Sequence, residues 1–205
     1  MAELESKKYK YDFSIIIFNN NSNKLIDCLK SINNQEYNLD KVQVIIETTK
    51  LEKEIIDIIN NLNYQPIIRI NDKLNLADCY NDALSIIEGK FITFINSSIL
   101  YKGHKMLSRI YKKNKKILVG NIFYYDLEEK MTYEYLFNKI GNITIRLDKD
   151  AGLINICLES CFVKQEFIKG LSFDNHFGME AKIKFFIELN LIEVNKHLCF
   201  KFFLF

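Results

Sequence analysis

The sequence predicts an α/β protein with a mostly parallel central sheet and helices on both faces, and three observations carry that expectation. Short, continuous apolar runs rich in β-branched residues recur through the first half of the chain, as strands buried on both faces of a parallel sheet do. Segments with apolar residues at helical spacing separate these runs, so strands and helices alternate. The fourth run stops abruptly at Asn96-Ser97-Ser98. Polar groups at the carboxyl end of a strand lie where an open α/β sheet places ligands.

Taken in order, Phe13-Ser-Ile-Ile-Ile-Phe18 is the first strand. Leu25, Cys28, Leu29 and Ile32 then share a helix face, with Ser22 or Asn23 to cap the start and Asn33-Asn34 to end it. Val42-Gln-Val-Ile-Ile46 is the second strand, and Leu51 to Leu62, with Ile55, Ile56, Ile58 and Ile59, the second helix. In the third strand, Gln65-Pro-Ile-Ile-Arg-Ile70, Pro66 sits at the start, where a missing N–H is tolerated. Leu76 to Ile87 reads as the third helix, closed by Gly89, and Phe91-Ile-Thr-Phe-Ile95 as the fourth strand.

The second half is less regular. Lys112-Lys113-Asn114-Lys115-Lys116 reads as a solvated helix end rather than a contact for nucleic acid or lipid phosphate, because the run is short and the net charge small. Ile117 to Phe123 is strand-like, Ile154 to Val163 is apolar and Met179 to Leu189 is helical. The apolar ending, Leu198-Cys-Phe-Lys-Phe-Phe-Leu-Phe205, fits an internal strand of a longer protein, a terminal strand or a membrane-surface anchor.

With 205 residues, 48% of them hydrophobic, the chain can bury a core unaided. Its 28 Lys+Arg against 26 Asp+Glu argue against a protein built around nucleic acid or an anionic membrane. No apolar run reaches the roughly 18 residues of a bilayer-spanning helix, and Met1 to Lys10 is charged, unlike a secretory leader. The expectation is a cytoplasmic protein without a transmembrane segment, at most peripheral at the inner face of the membrane. Cys28, Cys79, Cys157, Cys161 and Cys199 are odd in number and contain no C-x-x-C, so they read as reduced, buried thiols. A zinc site at Cys157 and Cys161 would need two more ligands, and His104, His176 and His197 are isolated in sequence. Neither a G-x-G-x-x-G nor a P-loop occurs.

Two stretches carry a resemblance. Ser14-Ile-Ile-Ile, its Asn-rich sequel and Leu25-Ile-Asp-Cys-Leu-Lys-Ser-Ile-Asn-Asn-Gln-Glu-Tyr37 form one; Leu76-Ala-Asp-Cys-Tyr-Asn-Asp-Ala-Leu84 through Glu88-Gly-Lys-Phe-Ile-Thr-Phe-Ile95 form the other. Together they resemble the family 2 glycosyltransferases of the GT-A fold. The resemblance implies one GT-A-like domain over residues 1–205, with a nucleotide-binding half at about 11–100 and an acceptor-side half at about 101–205. It implies transfer of a sugar from a nucleotide-sugar donor, a UDP-sugar, to a glycan or cell-wall polymer acceptor. The second half, with Tyr133 to Lys139, Ile145 to Asp148 and Ser160 to Lys164, is similar to the glycosyltransferase domains of bacterial wall-polymer (teichoic-acid type) enzymes, which implies fusion to or association with further domains.

In that family, strand-end carboxylates hold a divalent cation, Mn or Mg, that neutralises the departing diphosphate. One upstream acid contacts the base, and a later acid deprotonates the acceptor hydroxyl. Carried onto this chain, the metal-binding D-x-D falls on Asn96-Ser97-Ser98, leaving Asn96 and Ser98 as weak neutral candidates. The base-contacting acid falls on Glu47, the acceptor-side acid on Glu180, just after His176, and the family's R-N on Tyr80-Asn81. Asn19, Glu47, Asp78 and Asn96 are the candidate nucleotide contacts, and Glu180 the candidate catalytic base. Alternatives stand beside each: Asn96 to Ser98 suit a simple turn, Glu47 a loop acid near a helix start, and Glu180 a surface position. The eroded motif therefore leaves two readings, a glycosyltransferase or a catalytically inactive GT-A-fold binding module.

Overall fold

The structure is a computed structural model that describes residues 9–19, 22–71, 75–115, 117–119 and 161–173. The elements are β1 (Tyr11–Asn19), α1 (Ser22–Asn33), β2 (Val42–Thr48), α2 (Lys53–Ile59), β3 (Ile67–Ile70), α3 (Leu76–Leu84), β4 (Gly89–Asn96), α4 (Met106–Lys113), β5 (Ile117–Val119) and β6 (Cys161–Lys164). They form a six-stranded sheet in the order β3-β2-β1-β4-β6-β5. β1 runs parallel to β2 and β4, and β2 to β3, while β6 is antiparallel to both β4 and β5. The α/β architecture, mostly parallel and covered by helices, is the one expected.

Strand alternation sorts the side chains onto two faces. Phe13, Ile15 and Ile17 of β1 join Val44, Ile46, Phe91 and Ile95 in packing against Leu25, Cys28, Leu29 and Ile32 of α1, Ile55 and Ile59 of α2, and Leu107 and Ile110 of α4. On the other face Ile16, Ile45, Ile92 and Phe94 meet Ala77, Tyr80 and Ala83 of α3, together with Cys161, Val163, Ile168 and Phe173. Each buried Ile or Phe contributes about 2 kcal/mol of transfer free energy, so this two-sided burial is what holds the sheet. Cys28, Cys79 and Cys161 are buried and form no disulfide among the described residues, as small core thiols. Burial pushes the Cys28 thiol up to about 12, which makes it inert.

Some details differ from the sequence reading. α3 stops at Leu84, and Gly89, expected to close it, is instead the first residue of β4. There Gly89 N donates to Ser14 Oγ at 2.9 Å, and Ser14 Oγ donates to Gln43 Oε1 at 2.5 Å. Gln43 Oε1 also accepts from Glu88 N at 2.9 Å, and Gln43 Nε2 donates to Ile86 O at 2.9 Å. This buried polar chain ties β4 to β1 and β2 and sets their register. α4 was not assigned from sequence. It places Lys112 and Lys113 in its last turn and Asn114 in the left-handed conformation beyond it, so the basic run does begin as a helix end. Glu180, His176, Cys157, Cys199, the helical pattern at 179–189 and the apolar ending lie outside the described residues.

Candidate nucleotide-binding site

The carboxyl ends of β1, β2 and β4 stop level with one another. Asn19 pairs with Thr48, and Phe18 with both Glu47 and Asn96. Ser97 N donates to Phe18 O at 3.0 Å, and Asn71 N to Thr48 O at 2.9 Å, so the turns after β4 and β3 close over the same end.

Neighbouring side chains on one strand point to opposite faces, which separates the candidates. Asn19 and Thr48 continue the face that packs on α1 and α2. Asn19 Nδ2 donates to Thr48 Oγ1 at 3.0 Å, and that hydroxyl donates to Lys50 O at 2.7 Å. Asn19 Oδ1 is buried without a hydrogen-bond partner among the described residues. Thr48 was not a sequence candidate. The only signal for it was its place at the end of an apolar run.

Glu47 lies on the α3 face, fully buried. Its Oε2 accepts from Asn71 Nδ2 at 2.7 Å, and Arg69 Nε stands 3.6 Å from Oε1. The Arg69 guanidinium also pairs with Asp82 of α3. Glu47 therefore belongs to a four-membered polar cluster that joins β2, β3 and α3. Burial, and secondarily Asp82, raises its carboxyl to about 7, while Arg69 and Asn71 pull the other way. Arg69, Asn71 and Asp82 escaped the sequence reading, although a lone Arg inside Ile-Ile-Arg-Ile was the available clue: a charge within an apolar run needs a partner.

Asp78 sits exposed in the first turn of α3, where a carboxylate is favoured by the helix dipole. Asn75 caps that helix, its Oδ1 accepting from Ala77 N at 2.9 Å. Asn96 Oδ1 accepts from Ser98 N at 2.8 Å, and Asn96 O from Ile99 N at 3.0 Å, a side-chain-closed turn with Ser97 fully buried beside it.

Compared by sequence, the chain matches no protein-family model and no curated protein. Compared by fold, it superposes on S. aureus TarS with a TM-score of 0.64 at 16% identity, over 88% of this chain and 33% of that one. A crystal structure of S. aureus TarS 1-349 in complex with UDP gives 0.63 at 18%, over 88% of this chain and 55% of that one. The mannosyltransferase PcManGT from Pyrobaculum calidifontis, in complex with GDP-Man and Mn2+, gives 0.55 at 14%, over 87% and 52%. The fold is the GT-A glycosyltransferase fold. The chain spans 33% of the first of these structures and about half of the other two.

In this GT-A sheet the strand end that follows β4 fits a divalent cation poorly. Asn96 Oδ1 is spent on the turn, Ser97 is buried, and a hard cation favours carboxylates over neutral oxygens. Among the described residues no group of three His, Cys, Asp or Glu side chains is arranged to hold a metal. Tyr80 is core: its ring lies 4.8 Å from Phe94 and 5.0 Å from Phe173, centroid to centroid. Asn81 clamps the later half of the chain, its Oδ1 accepting from Phe173 N at 2.7 Å and its Nδ2 donating to Phe173 O at 2.8 Å. The structure thus brings Asn19, Glu47 and Asn96 to one sheet end.

Proposed function

We propose that the chain binds a nucleotide-sugar donor at the carboxyl ends of β1, β2 and β4, and works as a family 2 glycosyltransferase domain on a glycan or wall-polymer acceptor. The observation that carries this reading is Asn19 Oδ1, a buried acceptor at the strand ends with no partner among the described residues. An unpaired buried acceptor costs about 1–3 kcal/mol, and a turn of the Asn19 side chain that presents Oδ1 to a ligand N–H recovers it. The UDP complex of S. aureus TarS 1-349, on which the chain superposes, supports a UDP-sugar as that donor. Glu47 acts behind this position, tying β2 to β3 and to the last turn of α3 through Asn71, Arg69 and Asp82. Asp78 and Asn96 border the same end. Glu180, outside the described residues, is the proposed base: it takes the proton of the acceptor hydroxyl as that oxygen attacks the anomeric carbon and the bond to the diphosphate breaks. No step is assigned to a metal ion. The domain is proposed to span residues 1–205, to work on the cytoplasmic side and to form part of, or associate with, a larger assembly. No described helix is long and apolar enough to cross a membrane.

A second reading, a GT-A-fold binding module without catalysis, is favoured by the turn at Asn96 and by Tyr80 in the core. Calorimetric titration with UDP and a panel of UDP-sugars, with and without manganese, followed by an assay for release of UDP, separates the two. The transferase reading expects micromolar nucleotide binding and turnover that Glu180→Gln abolishes. Binding without turnover supports the module, and no nucleotide binding by a folded sample overturns the donor site itself.

A further inference from the structure

A pocket of about 410 Å³ lies away from the donor-binding strand ends, lined by Glu36, Lys102, Gly103, His104, Lys105, Met106 and Arg109. Among the described residues three permanent cations line it against one carboxylate, in a chain whose charges otherwise nearly balance. Lys105 Nζ is 3.4 Å from Glu36, and Arg109 has no ion-pair partner among the described residues. We propose that this pocket binds a phosphate group, as a site separate from the nucleotide donor.

The pocket is built by the fold. The chain leaving β4 runs back along α1, where Tyr101 N donates to Ser31 Oγ at 3.0 Å. Gln35, buried beneath it, donates through Nε2 to Gly103 O at 2.7 Å and accepts at Oε1 from Met106 N at 3.0 Å and Leu107 N at 3.4 Å. Glu36 N donates to His104 O at 2.6 Å. These bonds hold the loop that carries Lys102 and Lys105 against the first turns of α4, which carries Arg109. Gly103, at φ +79°, makes the turn between them, with open space where a side chain would stand. His104 Nδ1 lies 3.0 Å from Asn34 O. A carbonyl only accepts, so Nδ1 carries the proton and Nε2 remains uncommitted among the described residues.

Position separates this pocket from the donor end. Tyr37 OH donates to Asp12 Oδ2 at 2.7 Å, which places the residues after α1 beside the start of β1. α1 has 12 residues, so at 1.5 Å per residue its two ends are roughly 18 Å apart. A diphosphate held at Asn19 does not reach Arg109. The cation types select the ligand chemistry, since a planar guanidinium fork flanked by ammonium groups matches the several acceptor oxygens of a phosphate mono- or diester better than it matches one carboxylate. Such a group can come from a soluble phosphodiester or from a lipid headgroup.

The test uses the full chain and titrates inorganic phosphate, glycerophosphoglycerol, and phosphatidylcholine vesicles with or without phosphatidylglycerol, each with and without saturating UDP. Expected is binding of phosphate or of a phosphodiester that UDP does not displace. Arg109→Ala and Lys102→Glu should each weaken it about tenfold or more, while Lys113→Ala, on the same helix outside the pocket, changes it less than twofold. UDP affinity should be the same in all three variants, and matching far-UV spectra establish that each is folded. Binding to the soluble phosphodiester names that source, and variant-sensitive binding to anionic vesicles alone names a lipid. No binding of any probe, binding indifferent to both pocket variants, or displacement by UDP overturns the inference. It does not rest on the donor-site reading: if UDP fails to bind, phosphate binding weakened by Arg109→Ala still supports it.

Discussion

Asn19 and Thr48 end adjacent parallel strands in register, joined by a 3.0 Å bond from Nδ2 to Oγ1, and the bond leaves Asn19 Oδ1 buried and unmatched among the described residues. Orienting the amide this way satisfies the donor at the expense of the acceptor. In the free protein Asn19→Ala loses one neutral hydrogen bond but also removes an unsatisfied group, so stability should change by no more than about 1 kcal/mol. The nucleotide should lose its partner, with UDP affinity falling about tenfold. Thermal unfolding and calorimetric titration on the same sample check both halves, and unchanged UDP affinity would remove Asn19 from the site.

Glu47 makes stability depend on pH in a stated direction. Its carboxyl is raised from an ordinary 4.5 to about 7, chiefly by burial. Below about 4.5 it is protonated in both folded and unfolded chains; between the two values only the folded chain holds the proton. Stability therefore falls as pH rises through that window, by up to about 3 kcal/mol once pH passes the folded value. Glu47→Gln keeps an acceptor for Asn71 and removes the titration. Urea midpoints at pH 5 and pH 8 should differ less in this variant than in the parent protein, and an equal difference would place the titrating group elsewhere.

Much of this was legible because burial on both faces writes itself as uninterrupted apolar runs, as in Phe13 to Phe18 and Val42 to Ile46, and helix faces as the spacing of Leu25, Cys28, Leu29 and Ile32. Cross-strand partnership is a different matter. Nothing local in Ile-Ile-Arg-Ile says that Arg69 meets Glu47, because that contact exists only once β3 pairs with β2. Nor does the sequence around Gly89 distinguish a helix cap from a strand start that lies against another backbone. Glu47 was identified as an acid of interest, but alternation turns it toward α3 and leaves the opposite face of the strand end to Thr48.

Gly89 is the position least able to accept a side chain. A Cβ there would stand 2.4 Å from Phe13 C and from Ser14 N, backbone atoms of a fully buried strand that cannot move aside. Gly89→Ala should destabilise by about 2–4 kcal/mol, through overpacking and the loss of the bond to Ser14 Oγ. Ser14→Ala removes that bond without the clash and should cost about 1–2 kcal/mol. Denaturant unfolding of the two variants separates the contributions, and equal losses would mean that the close approach is not the cause.

The turn at Asn96 offers a direct test of what its neutral side chains mean for a cation. Because Asn96 Oδ1 accepts from Ser98 N, Asp at position 96 keeps the acceptor and hence the turn. Asn96→Asp with Ser98→Asp then places two carboxylates at the strand end. Without a cation they repel, and the double variant should melt below the parent protein. With manganese the repulsion becomes ligation, and stability rises with metal concentration as RT ln(1 + [L]/Kd). The parent protein, whose donors there are neutral, should show a UDP affinity that manganese changes less than about twofold. Melting curves and UDP titrations across a manganese series check both. A strong manganese response in the parent protein would mean that carboxylates elsewhere in the chain complete a metal site, while no response in the double variant would mean that this strand end no longer has the shape to hold one.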